Sequence, residues 1–100
     1  MTENGVVNKL VGSVVTANAG RDKGRYFVAV AVGGGFVYIA DGKERKLEKP
    51  KRKNAKHISP AGARVDLEGL TNRKLRRLIR EFSTQTDYRQ TQSLLDGEVF

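Results

Sequence analysis

Gly12-Ser13-Val14-Val15-Thr16-Ala17-Asn18-Ala19-Gly20-Arg21-Asp22-Lys23-Gly24-Arg25 runs directly into Tyr26-Phe27-Val28. A β-branched run, a charged loop bounded by two glycines and a second apolar run read as strand, tight loop and strand. Glycine reaches positive φ without a Cβ clash, and an Asp side chain can bond its own local backbone. Gly20, Gly24 and Asp22 therefore shape a loop that holds Arg21, Lys23 and Arg25 out at the edge of a small barrel. Asp22, flanked by cations, reads as a turn former or a neutraliser of its neighbours rather than a catalytic carboxylate.

Outward from this stretch, residues 1–9 are polar and near a terminus and are expected to be flexible. The first strand is predicted over Leu10 to Thr16 and the second over Tyr26 to Val32. Strict alternation in the second puts Tyr26, Val28, Val30 and Val32 on one face and Phe27, Ala29 and Ala31 on the other, with Val28 and Val30 as core. Gly33-Gly34-Gly35 turns the chain into a third strand, Phe36 to Ala40. Asp41-Gly42 is a second hairpin signal, which predicts a charged fourth strand over Lys43 to Leu47. Pro50 then makes Lys49 to Asn54 an exposed loop, and Lys56-His57-Ile58 a short closing strand. The fold class expected is mainly β: a five-stranded barrel over 10–60, followed by a basic amphipathic helix. Ser59 to Ala63 marks the end of the barrel, 61–70 a connector, 71–83 the helix and 84–100 a polar tail that either extends the helix or is disordered.

Leu, Ile, Val and Phe make up 26 of the 100 residues, above the roughly 20% below which a highly charged chain stays unfolded. Nineteen Lys and Arg against eleven Asp and Glu give a net charge of +8, and the pI is near 10.1. That balance favours a polyanionic partner. With no cysteine and one histidine, neither a disulfide framework nor a structural metal is expected. No signal peptide or membrane span is apparent, and a cytoplasmic protein is the expectation. The carboxylates are scattered, with no Ser-His-Asp or Cys-His spacing, so no enzyme and no cofactor are expected.

The cations fall in three segments. The first is the glycine loop. The second runs from Lys43 to His57, where eight Lys or Arg meet two Glu and the candidate contacts are Arg45, Lys46, Lys49, Lys51, Arg52, Lys53, Lys56 and His57. The third is the helix: Leu75, Leu78, Ile79 and Phe82 form an apolar stripe, Thr71 or Asn72 caps its start, and Arg73, Lys74, Arg76, Arg77 and Arg80 occupy the remaining surface. Of these Arg73, Arg76, Arg77 and Arg80 are candidate contacts.

The loop spacing, G-x-V-V followed by A-G-R-D-K-G-R, resembles the KOW motif of transcription elongation factors and several large-subunit ribosomal proteins. With Ile39 to Gly42 and Lys49 to Ile58, the chain is similar over about Leu10 to Pro60 to short bacterial KOW proteins related to a ribosomal protein of archaea and eukaryotes. The resemblance implies an SH3-like barrel and RNA binding, with Gly20, Arg21, Lys23, Gly24 and Arg25 matching the motif loop. It does not extend to the helix.

The expected function is non-catalytic binding of structured RNA, ribosomal RNA above all, through phosphate contacts, with ribosomal proteins as further partners. Tyr26 and Tyr38 border the loops and either stack on bases or pack on the domain. His57 is either a phosphate contact or a merely exposed imidazole. The helix either packs on the barrel and widens the RNA surface, enters a partner's groove or, least favoured by its short stripe, lies on a membrane. The alternative function is a protein-interaction module contacting ribosomal or transcription machinery.

Overall fold

The computed structural model describes residues 9–84. The expectations for residues 1–8 and 85–100 fall outside the described residues. Five strands, β1 (Ser13–Ala17), β2 (Tyr26–Gly33), β3 (Phe36–Ala40), β4 (Lys51–Asn54) and β5 (Ile58–Arg64), form one antiparallel sheet in the order β4-β3-β2-β1-β5. A single 3-10 turn, Ala55–His57, joins β4 to β5, and helix α1 covers 72–84. β4 and β5 lie at opposite edges and do not pair, so the hydrogen-bond ladder stays open where a closed barrel was expected.

The β2–β3 hairpin forms as its alternation and glycine turn dictate, with one departure. The register slips between Ala29↔Ile39 and Ala31↔Tyr38, which makes Val30 a bulge. A bulge inserts one residue and reverses the side-chain parity beyond it. Val32 therefore joins Phe27 and Ala29 instead of Val28. The expected choice of Val28 and Val30 over the alanines is thus half met: Val28 is fully buried and Val30 only partly, while Ala29 is fully buried on the other face.

Both faces of the sheet are covered. On one, Val15, Ala17, Phe27, Ala29, Val37, Ile39 and Ile58 pack together, contributed by every strand except β4. On the other, Val28 and Ala40 meet Leu75 of α1, with Leu47, Val65, Leu67 and Ile79 around them. Leu75 is completely buried, and Phe82 sets its ring edge-on to Tyr26 at 5.1 Å. Leu78, expected in the stripe, is 39% exposed. The helix therefore seats on Leu75, Ile79 and Phe82.

Four assignments along the second half differ from expectation, the first being Lys56 and His57, which lie in the 3-10 turn and not in a short closing strand. Lys43 to Leu47 is not a strand: one Asp41 oxygen accepts the backbone N–H of both Lys43 and Arg45, and Arg45 O accepts from Asp41 and Gly42, closing a compact loop. The fourth strand is Lys51–Asn54, where a loop was expected, and Pro50 stands just before it, where its missing N–H costs no ladder bond. Ser59 to Ala63 does not end the sheet but forms most of β5, which pairs with β1. Pro60 is tolerated because β5 is an edge strand, and the five β5 residues from Pro60 to Arg64 stand against only three of β1, Val15 to Ser13. β5 accordingly runs on to Arg64, whose guanidinium bonds Lys9 O, Val11 O and Ser13 Oγ.

Candidate nucleic-acid interface

The glycine loop is built as its sequence requires. Gly20 and Gly24 have φ of 79° and 81°, Lys23 N–H donates to Gly20 O, and Arg25 N–H donates to Asp22 O. Tertiary contacts hold it along its length. Asn18 N–H donates to His57 O in the 3-10 turn, Lys53 Nζ of β4 donates to Ala19 O, and Gly24 N–H donates to Ala17 O.

Asp22 is the centre of this arrangement. It is 2% exposed, with its carboxylate 3.2 Å from the Arg45 guanidinium, 3.8 Å from Lys53 Nζ and 3.9 Å from the Arg25 guanidinium. A buried carboxylate is tolerable only when paired, and here three cations from three segments supply the pairing. Arg25 also bonds Glu44 at 3.0 Å and Asp41 at 3.4 Å. The Glu44 hydrogen bond, aided by the charges of Glu44, Asp41 and Asp22 and opposed by partial desolvation, raises the Arg25 pKa above its ordinary value.

Three of the expected contacts, Arg25, Arg45 and Lys53, are therefore occupied inside the protein, with Lys53 at 15% side-chain exposure. Arg21 and Lys23 are exposed and make no side-chain bond with a described residue. The Lys51-Arg52-Lys53 triplet is split by strand alternation. Lys51 and Lys53 stand opposite Ile39 and Val37, whereas Arg52 stands opposite Tyr38 and covers the Phe36 ring at 4.6 Å. Lys46, Lys49 and Lys56 are exposed, and His57 is half-buried on the 3-10 turn. Tyr38 is half-buried beside Arg52, while Tyr26, the other candidate for base stacking, is engaged by Phe82.

A groove begins at Gly24 and Arg25, where the loop enters β2. Tyr26, Asp41 and Lys43 form one side, and Arg73, Lys74, Arg76, Arg77 and Arg80 of α1 the other. Asp41 is the one acidic residue in that lining, and it is 6% exposed. The three helix arginines Arg73, Arg77 and Arg80 and the lysines Lys43 and Lys74 make no side-chain bond with a described residue, whereas Arg76 donates to Gly42 O at 2.8 Å. Lys43 and Lys74 lie outside the contact set expected from the sequence. Lys74 was legible as part of the basic helix surface, but Lys43 acquires its place only when the Asp41 loop folds against α1.

The start of α1 is fixed to the sheet. Thr71 Oγ1 accepts the Lys74 N–H and so is the cap, which frees Asn72 to accept from Leu47 N–H at 2.8 Å and to donate to Glu48 at 2.7 Å. The Asn72 amide, then a backbone hydrogen bond, lowers the Glu48 pKa.

No protein-family model matches the chain, and comparison with curated proteins finds no match either. Among the described residues no helix is long and apolar enough to cross a membrane, and no group of three acidic, His or Cys side chains is placed to hold a metal.

Proposed function

We propose that this chain is a non-catalytic RNA-binding protein with a KOW-type, SH3-like domain, associated with ribosomal RNA in the cytoplasm. The glycine loop would dock along phosphates of structured RNA through Arg21 and Lys23. The observation that carries this reading is the Asp22 cluster: it engages Arg25, Arg45 and Lys53 in holding the loop, and leaves Arg21 and Lys23 exposed with no side-chain bond to a described residue. A rigid loop with free cations binds a polyanion without first having to be ordered. The five antiparallel strands, with a 3-10 turn leading into the last, are in keeping with the SH3-like assignment.

Recognition of this kind is dominated by counterion release, because side chains cannot read the deep groove of A-form RNA. Titrating the chain with a labelled RNA hairpin over a range of salt tests it. About six phosphate contacts give a slope of log affinity against log salt of roughly −4 to −5. A slope near zero overturns the reading. The outer edge of β4, which pairs with no strand among the described residues, favours a second reading, strand addition by a protein partner. The lysines on that edge oppose it.

A further inference from the structure

We infer that the groove between α1 and the Asp41 loop is a track for the backbone of single-stranded RNA, distinct from the exposed surface of the glycine loop. This rests on the RNA-binding reading and adds to it which RNA element is held, and where. Its two walls carry cations that make no side-chain bond with a described residue: Lys43 on the sheet side, and Arg73, Arg77 and Arg80 on the helix side. Its volume, about 1320 Å³, exceeds the roughly 300–1,000 Å³ of small-ligand pockets, so an extended polymer fits it better than a metabolite. A single strand lying lengthwise presents phosphates to both walls at once, whereas a duplex offers only its outer surface to one. Arginine suits this role because its guanidinium grips a phosphate through two parallel bonds.

The track exists only because α1 is docked. Arg76 ties the helix to Gly42 O, Asn72 ties it to Leu47 and Glu48, and Leu75 is buried in the sheet face. Gly42, at φ 80°, is in close contact with the first turn of α1: a Cβ there would collide with the carbonyl oxygen of Asn72. Gly42→Ala therefore disturbs the groove without removing a charge.

The test uses the full chain and two labelled probes, a single-stranded oligouridylate of roughly 12 nucleotides and an RNA hairpin without long single-stranded ends. The combined variant Lys43→Gln/Arg73→Gln/Arg77→Gln alters only exposed side chains and leaves the fold in place. It is expected to weaken oligouridylate binding about tenfold or more and to reduce its salt slope by about two, with a smaller effect on the hairpin. Gly42→Ala is expected to weaken the oligouridylate selectively as well, with circular dichroism reporting that the sheet persists. Unchanged oligouridylate affinity in the triple variant overturns the track. An equal loss for both probes, or competition by phosphatidylserine vesicles stronger than by oligouridylate, also overturns it. Hairpin binding that survives in those cases leaves the glycine-loop reading standing; if the unmodified chain binds neither RNA, it is that reading that fails.

Discussion

The carboxylate of Asp22 lies 3.2 Å from the guanidinium of Arg45, 23 residues away in the chain, and this pair anchors the glycine loop to the loop after β3. Asp22 reads from the sequence as local punctuation. In the fold it is a tertiary anchor, since Lys53 and Arg25 complete its surroundings.

Replacing Asp22 by Asn removes the negative charge and leaves three cations facing one another. Breaking a buried pair costs about 3–5 kcal/mol, and the partial exposure of Arg45 and Arg25 reduces this to roughly 1–3 kcal/mol. Urea denaturation is expected to show a lower midpoint at unchanged slope. An unaltered midpoint would mean that the cluster does not hold the loop.

Arg21→Ala/Lys23→Ala and Arg25→Ala are expected to separate contact from scaffold. The first pair, exposed and without a side-chain bond to a described residue, should weaken RNA binding uniformly across sequences and lower the salt slope by about one per cation, with no change in melting temperature. Arg25→Ala should chiefly lower the melting temperature, because its charge is already engaged by Glu44, Asp41 and Asp22. Salt-dependent anisotropy beside thermal denaturation decides it. Equal effects of both variants on the slope would contradict the division.

Leu75→Ala empties the contact between α1 and the sheet. A fully buried Leu lost from a core costs about 2–5 kcal/mol, and Leu75 is the one completely buried side chain that α1 sets against the sheet among the described residues. The expected signature is a lower denaturation midpoint together with loss of the ring-current shift that Phe82 imposes on the Tyr26 ring resonances. Retention of that shift would show that the helix stays docked without Leu75.

Glu48 gives a pH dependence. Its hydrogen bond from Asn72 lowers the folded-state pKa below the ordinary 4.5, so the contribution is complete above that value and disappears as pH falls through the depressed folded value. Glu48→Gln is therefore expected to be less stable than the parent at neutral pH, and to converge with it in acid once Glu48 is protonated in the folded chain. Melting curves across that range measure the difference. A gap that persists in acid would point to a steric rather than a charge effect.

The hairpin of β2 and β3 was legible because its signals are local: apolar residues of period two on either side of Gly33-Gly34-Gly35. β4 and β5 were misplaced for the converse reason. Lys51-Arg52-Lys53-Asn54 carries no apolar alternation, and Ser59-Pro60-Ala61-Gly62-Ala63 reads as a breaker, so each becomes a strand only through pairing with β3 and β1. The Val30 bulge leaves no mark in an unbroken apolar run, although it decides on which face Val32 lies. Of the candidate site, the positions of the cations were readable but their availability was not.

From the order of its residues alone, this protein has a strand-loop-strand start, a large positive charge and a helix with one apolar side. Those properties follow from backbone preference, composition and periodicity, which act over a few neighbouring positions. Which cations are engaged by described residues was decided by the tertiary structure: Arg25, Arg45 and Lys53 are held because folding brings them within 4 Å of Asp22, while Lys43, Arg73, Arg77 and Arg80 are left facing a groove that two distant segments create. Charge pairing acts over a few ångströms in space, and only the fold determines which residues come that close.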